Sequence, residues 1–192
     1  MIKLLNNRDL AESLGINLAR WKRWSREFLP PDPLAGKQAG YARQYYLNDA
    51  FTVFLGGCFV SELGFSIPDA RMILADLDPW LNEKGFRGDA RGKTKTLPGL
   101  DEKVQYHTVN IVCQGGEIIG YRLVGTITDE PFDLDGHGVR KSFYTQETIQ
   151  KKESNRLMDR LETEKTLNLT SLLKTFLNCI DPTGQFFSRN GQ

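Results

Sequence analysis

Apolar residues recur at three- and four-residue intervals near the start of the chain: Leu10, Ala11 and Leu14, then, beyond Gly15, Leu18, Trp21, Trp24 and Phe28. At about 100° per residue the second set falls on one stripe of a helix. The pattern predicts a short helix capped by Asn7 and stopped by Gly15, then a second helix opened by Ile16 and Asn17. That second helix must end by Leu29, because Pro30, Pro31 and Pro33 cannot continue it. Two helices this short, joined through a glycine, make a helix-turn-helix unit.

From Pro30 to Tyr46 the chain is turn-rich and then aromatic, which predicts a small hairpin with bends at Gly36 and Gly40 and with Lys37, Gln38 and Arg43 near its tip. Asn48 can cap a third helix running to Leu63, apolar around most of its circumference (Phe51, Val53, Phe54, Leu55, Phe59, Val60) and therefore central. Gly56 and Gly57 inside it each cost about 1 kcal/mol against alanine, so the helix either packs closely on another or breaks there. Ser66, with Pro68 and Asp69 behind it, opens a fourth helix carrying Ala70, Ile73, Leu74 and Leu77.

After Trp80 the texture changes. Gly85, Gly88, Gly92, Pro98 and Gly99 mark a linker or long loop. His107, Val109, Ile111 and Cys113 alternate with Thr108, Asn110 and Val112, and Gly115-Gly116 supplies a turn into a second strand over 118–128. A third, weaker strand is predicted near 139–144. From Gln146 to Ile180 the pattern reads as helical, with Asn168 or Thr170 dividing it in two. The expected organisation is a helical domain over 1–82, a linker over 83–100, and a β-hairpin plus helical region over 101–192.

Composition adds little, because 25 basic residues stand against 24 acidic ones in 192 residues. Distribution adds more. Residues 17–26 hold Arg20, Lys22, Arg23 and Arg26 and no acid, so the arc of the second helix opposite the apolar stripe is basic around the small Ala19. A short helix with a core-anchoring face, an outer face of cations and a small residue permitting close approach suits a phosphate-lined major groove. Trp21 and Trp24 share the stripe with Leu18 and Phe28 and read as core anchors rather than base-stacking platforms.

Other chemistry is poorly supported. Cys58, Cys113 and Cys179 form no CxxC pair, and His107 and His137 lack zinc-site spacing. Asp133-Leu134-Asp135-Gly136-His137-Gly138 suggests a calcium loop, but its glycine comes two residues early and no later glutamate falls in place. Gln114-Gly115-Gly116-Glu117 lacks the lysine of a phosphate loop, and no nucleophile elbow or His-Glu-x-x-His appears. No enzyme, cofactor or metal is expected, nor a signal peptide or membrane span, so a reduced cytoplasmic protein is the default.

The order helix, turn, basic helix, proline-rich segment, capped helix resembles the DNA-binding domain of the MerR family of transcription regulators over roughly the first 80 residues. Two motifs carry the resemblance. Gly40-Tyr41-Ala42-Arg43-Gln44-Tyr45 is similar to the family's wing motif with one residue more, and Leu63-Gly64-Phe65-Ser66-Ile67 matches its turn into the fourth helix. The resemblance implies that Lys22 stands at the recognition-helix arginine, that Arg23 and Trp24 replace two tyrosines, that Phe28 replaces a glycine, and that Arg43 is the wing arginine set against the DNA backbone. Past residue 80 the chain departs from the family, since Gly85, Gly88 and Gly92 interrupt its long dimerisation helix.

The fold expected is therefore α+β: an N-terminal MerR-like winged helix-turn-helix, a small antiparallel β region, then C-terminal helices. The function expected is that of a sequence-specific DNA-binding transcription regulator, contacting DNA through Asn17, Arg20, Lys22, Arg23, Arg26, Lys37, Gln38, Tyr41 and Arg43. The alternative is a DNA-bending architectural or recombination-accessory, excisionase-like factor of a mobile element. Expected partners are double-stranded DNA, a small-molecule or protein effector, and a second copy of the chain held through Leu169, Leu172, Leu173, Phe176, Leu177 and Ile180.

Overall fold

The computed structural model describes residues 4–32, 42–86, 106–128, 142–151 and 162–182. By contacts the chain divides into two compact units, residues 1–98 with 173–192, and residues 99–172. No helix among the described residues is long and apolar enough to cross a membrane.

Among the described residues of 1–98, the first unit has four helices, α1 (Asn7–Ser13), α2 (Leu18–Phe28), α3 (Leu47–Ser61) and α4 (Ile67–Glu83). Asn6, rather than Asn7, caps α1 by accepting from the Arg8 and Asp9 amides. Gly15 then turns the chain at φ +64°, a backbone conformation open to glycine. Ser66 caps α4 by accepting from the Asp69 amide, with proline in the first turn. Gly85 closes α4 at φ +74°, and Phe86 folds back to stack on Trp80 with ring centroids 5.9 Å apart.

The core of this unit lies between α2, α3 and α4, where Trp21, Ala50, Val53, Phe59, Ala70, Ile73 and Leu77 are completely buried. α3 is continuous through its glycine pair, and close packing is the reason the pair is there. A Cβ on Gly57 would lie 2.4 Å from the Trp24 ring, and one on Gly56 would lie 2.6 Å from the Phe28 ring. The glycines form a step on which the large side chains of α2 sit.

The second unit holds an antiparallel sheet of β3 (Tyr106–Gln114), β4 (Glu117–Thr128), β5 (Ser142–Gln150) and β6 (Glu162–Asn168), in the order β5-β4-β3-β6. Gly115 and Gly116, at φ +58° and +87°, make the tight turn between β3 and β4. One face buries Val109, Ile111, Tyr121 and Leu123. On the other, Arg122 forms ion pairs with Glu162 and Glu164, and the Thr166 hydroxyl donates to Asn110 at 2.8 Å. The Asn168 side chain accepts from the Ser171 amide and starts α5 (Leu169–Ile180), while the Thr170 hydroxyl accepts from the His107 amide.

The chain is α+β, but the expected architecture is overturned. Among the described residues helices come first, then the four-stranded sheet, then one helix, and this is not the arrangement of a MerR-like winged helix-turn-helix followed by C-terminal helices. The stretch expected to be helical from Gln146 is strand at 146–150 and again at 162–168. The reason is local: Phe143, Tyr144, Thr145, Thr148 and Ile149 favour a pleated strand, and Glu162–Asn168 completes the sheet by pairing with β3. Among the described residues of this stretch, Leu169–Ile180 is the part that is helical. Most of the expected hairpin over 30–46, including both of its bends, lies outside the described residues; among those described, β2 (Gln44–Tyr45) pairs with β1 (Leu5–Asn6), placing Tyr45 opposite Leu5.

The glycine step yields a stability test. Gly57→Ala gains helix propensity but drives a methyl into buried Trp24, so a net loss of about 1–3 kcal/mol is expected in urea unfolding. Gly56→Ala meets half-buried Phe28, which can give way, and should cost less. A Gly57→Ala protein as stable as the native one would contradict the packing.

Candidate nucleic-acid interface

Asn17 caps α2 through its side-chain oxygen, accepting from the Ala19 amide at 2.9 Å and the Arg20 amide at 3.3 Å. Of its expected contact capacity the amide nitrogen is what remains. Trp21, Trp24 and Ser25 turn inward and are buried, while Ala19, Arg20, Lys22, Arg23 and Arg26 are exposed. At about 100° per residue the exposed set spans an arc of roughly 160°. None of the four cations is in an ion pair among the described residues.

Glu27 falls inside that arc, between the directions of Arg23 and Arg20. It lies one position beyond the acid-free run of residues 17–26. Its carboxylate is taken by Arg71 of α4 in an ion pair that is also a hydrogen bond. Sequence spacing could show Glu27 on the basic face, but not a partner 44 residues away on another helix.

A buried polar junction fixes where α2 sits. The Tyr45 hydroxyl donates to Asn7 Oδ1 at 2.6 Å, and Ser25 Oγ lies 2.7 Å from the same hydroxyl. With its proton given to Asn7, the phenol oxygen is left to accept from Ser25. One side chain of β2 thus joins α1 to α2. The Tyr45 ring also meets Trp21 edge-on, with centroids 5.9 Å apart. Burial pushes the Tyr45 phenol above its ordinary 10.0, against the Ser25 hydrogen bond and the nearby Arg43 charge, which both lower it.

Arg43 is half-buried. Its Nη2 donates to the Pro30 carbonyl at 2.8 Å and its guanidinium carbon lies 5.7 Å from the centre of the Tyr45 ring. The guanidinium is thereby engaged with the protein's own frame just past the end of α2, whereas the four cations of α2 face outward. Lys37, Gln38 and Tyr41, expected beside it, lie outside the described residues, as do the Asp133–Gly138 segment and His137.

The apolar face of α5, expected to receive a second copy of the chain, is largely buried in this one. Leu169 and Phe176 are fully buried, Leu173 and Leu177 nearly so, and the Phe176 ring lies 5.3 Å from those of Phe51 and Phe54 on α3. Elsewhere, burial and then the Glu62 charge push the Cys58 thiol up to about 12, so it is protonated and a poor nucleophile at neutral pH. Among the described residues no three His, Cys, Asp or Glu side chains gather as metal ligands would.

Compared with known proteins, the chain matches no family model, no curated protein and no solved structure.

The Tyr45 junction predicts both a mutational and a pH effect. Tyr45→Phe strands the buried Ser25 hydroxyl and the Asn7 oxygen and should cost about 1–3 kcal/mol. In the native protein the phenol must stay neutral to donate, and its folded pKa is the higher one. Its contribution is therefore complete below pH 10 and lost as pH rises through 10 and beyond. Denaturant melts across this range should show an alkaline decline that Tyr45→Phe makes shallower; parallel profiles would remove the junction from the account.

Proposed function

We propose that this protein binds double-stranded DNA in a sequence-dependent way through the outward face of α2 and acts as a transcription regulator. One observation supports the reading above others: Arg20, Lys22, Arg23 and Arg26 stand exposed, with no ion pair among the described residues, on a helix whose opposite side is clamped by Trp21, Trp24 and Ser25. A cationic face costs self-repulsion in the free protein, and a polyanion that releases counterions on binding repays it. The helix is 11 residues long and diameter and length suit a major groove, with exposed Ala19 near its N-terminal end permitting close approach. Arg20 and Lys22 flank Ala19 and are assigned to base edges; Arg23 and Arg26 are assigned to phosphates.

One such helix covers a single half-site, so the reading includes two copies of the chain on paired half-sites about one helical turn apart. With the apolar face of α5 buried in its own chain, that pairing has to use another surface.

The test uses the full-length chain, because Phe176 packs on α3 and a fragment ending near residue 82 would lack it. Affinity for duplex DNA should fall by about 0.9 log units per log unit of salt for each phosphate neutralised. In selection from random duplexes, Arg20→Ala and Lys22→Ala should each change the preferred sequence and cost about 1–3 kcal/mol on the best site. Arg26→Ala should weaken all sequences nearly equally. Absent or salt-independent binding would overturn the proposal, and DNA bending without sequence preference would replace regulation with an architectural role.

A further inference from the structure

Glu27 and Arg71 form an ion pair at the margin of the basic face, and its position gives it more than the small stabilising value of an ordinary surface pair. Arg20, Arg23 and Glu27 are spaced i, i+3 and i+7 on α2 and so share one face. Arg23 and Glu27, four residues apart, are at the spacing at which opposite charges on a helix pair with each other. In the structure they do not: Glu27 is held from the side by Arg71 of α4, and Arg23 carries no ion pair among the described residues.

We infer that Arg71 is an affinity-determining residue of the DNA-binding face, which holds the Glu27 carboxylate so that Arg23 stays available to a phosphate. The inference rests on the DNA-binding reading of α2. An unmasked Glu27 would act in two ways, repelling the phosphate backbone and capturing Arg23 across one helical turn. Either removes about one effective cation from the face. Arg71 is a positioning residue in this account: it acts on DNA affinity through Glu27, and its own side chain, 55% exposed, is held at the rim.

The requirement for Arg71 should therefore vanish when Glu27 carries no charge. With the full chain and a mixed-sequence fluorescent DNA duplex, Arg71→Ala should weaken binding by somewhat under about tenfold near 0.1 M salt and lower the salt slope by about 0.9, the effect of one lost phosphate contact. The double variant Glu27→Gln with Arg71→Ala should recover the native affinity and slope. Because the pair is exposed, both proteins should melt cooperatively within a few degrees of the native one, which separates the effect from unfolding. If the double variant binds as weakly as Arg71→Ala, Arg71 touches DNA itself and the masking account is wrong. If Arg71→Ala binds as the native protein does, the pair has no role in binding. Native protein that fails to bind the duplex at all would overturn the DNA-binding reading and this inference with it.

Discussion

Trp24 lies against Gly57 with no room for a methyl group between them, and Phe28 lies in the same way against Gly56. This contact brings α2 down onto α3 more closely than any pair of ordinary side chains would allow. Packing of this kind is strong but does not by itself fix rotation about the helix axis. The hydroxyl of Tyr45, donating to Asn7 and accepting from Ser25, supplies the directional part. Together they determine which arc of α2 faces outward, and the spacing of basic residues along the helix does the rest.

The charge on that arc is arranged by several elements acting together. A net charge of +1 over the chain says nothing of it. Four cations stand on α2, the single acid among them is held by α4, and Arg43 from just before β2 is turned inward to a carbonyl and an aromatic ring. Local helix sequence thus provides the basic face, while tertiary structure decides which charges on it remain available.

What could be read from the sequence followed from strong local signals. The stripe of Trp21 and Trp24, the Ser66 cap and the Gly115-Gly116 turn each specify their structure within a few residues, and each is found where the pattern placed it. The double glycine of α3 signalled close packing or a break, and only the opposing rings of Trp24 and Phe28 could say which. Strands β5 and β6 were hidden because their pairing is remote: Glu162–Asn168 lies beside a strand some fifty residues earlier, and its run of charged and polar residues imitates a helix's solvated face. The leucines that follow in α5 extended that illusion backwards. At the site, the cations were visible because they crowd together, whereas the Glu27–Arg71 pair and the Tyr45 junction depend on residues brought together only by folding.

All three tryptophans of the chain, Trp21, Trp24 and Trp80, belong to the helical unit and are buried there, while residues 99–172 of the sheet unit contain none. Indole emission is consequently a private signal of one half of the molecule. A change in it during heating, denaturation or titration with DNA reports on the packing of α2 and α4, and is blind to the state of the sheet. Far-ultraviolet circular dichroism sums the backbone of both units, so a transition seen there without a change in indole emission belongs to the sheet unit.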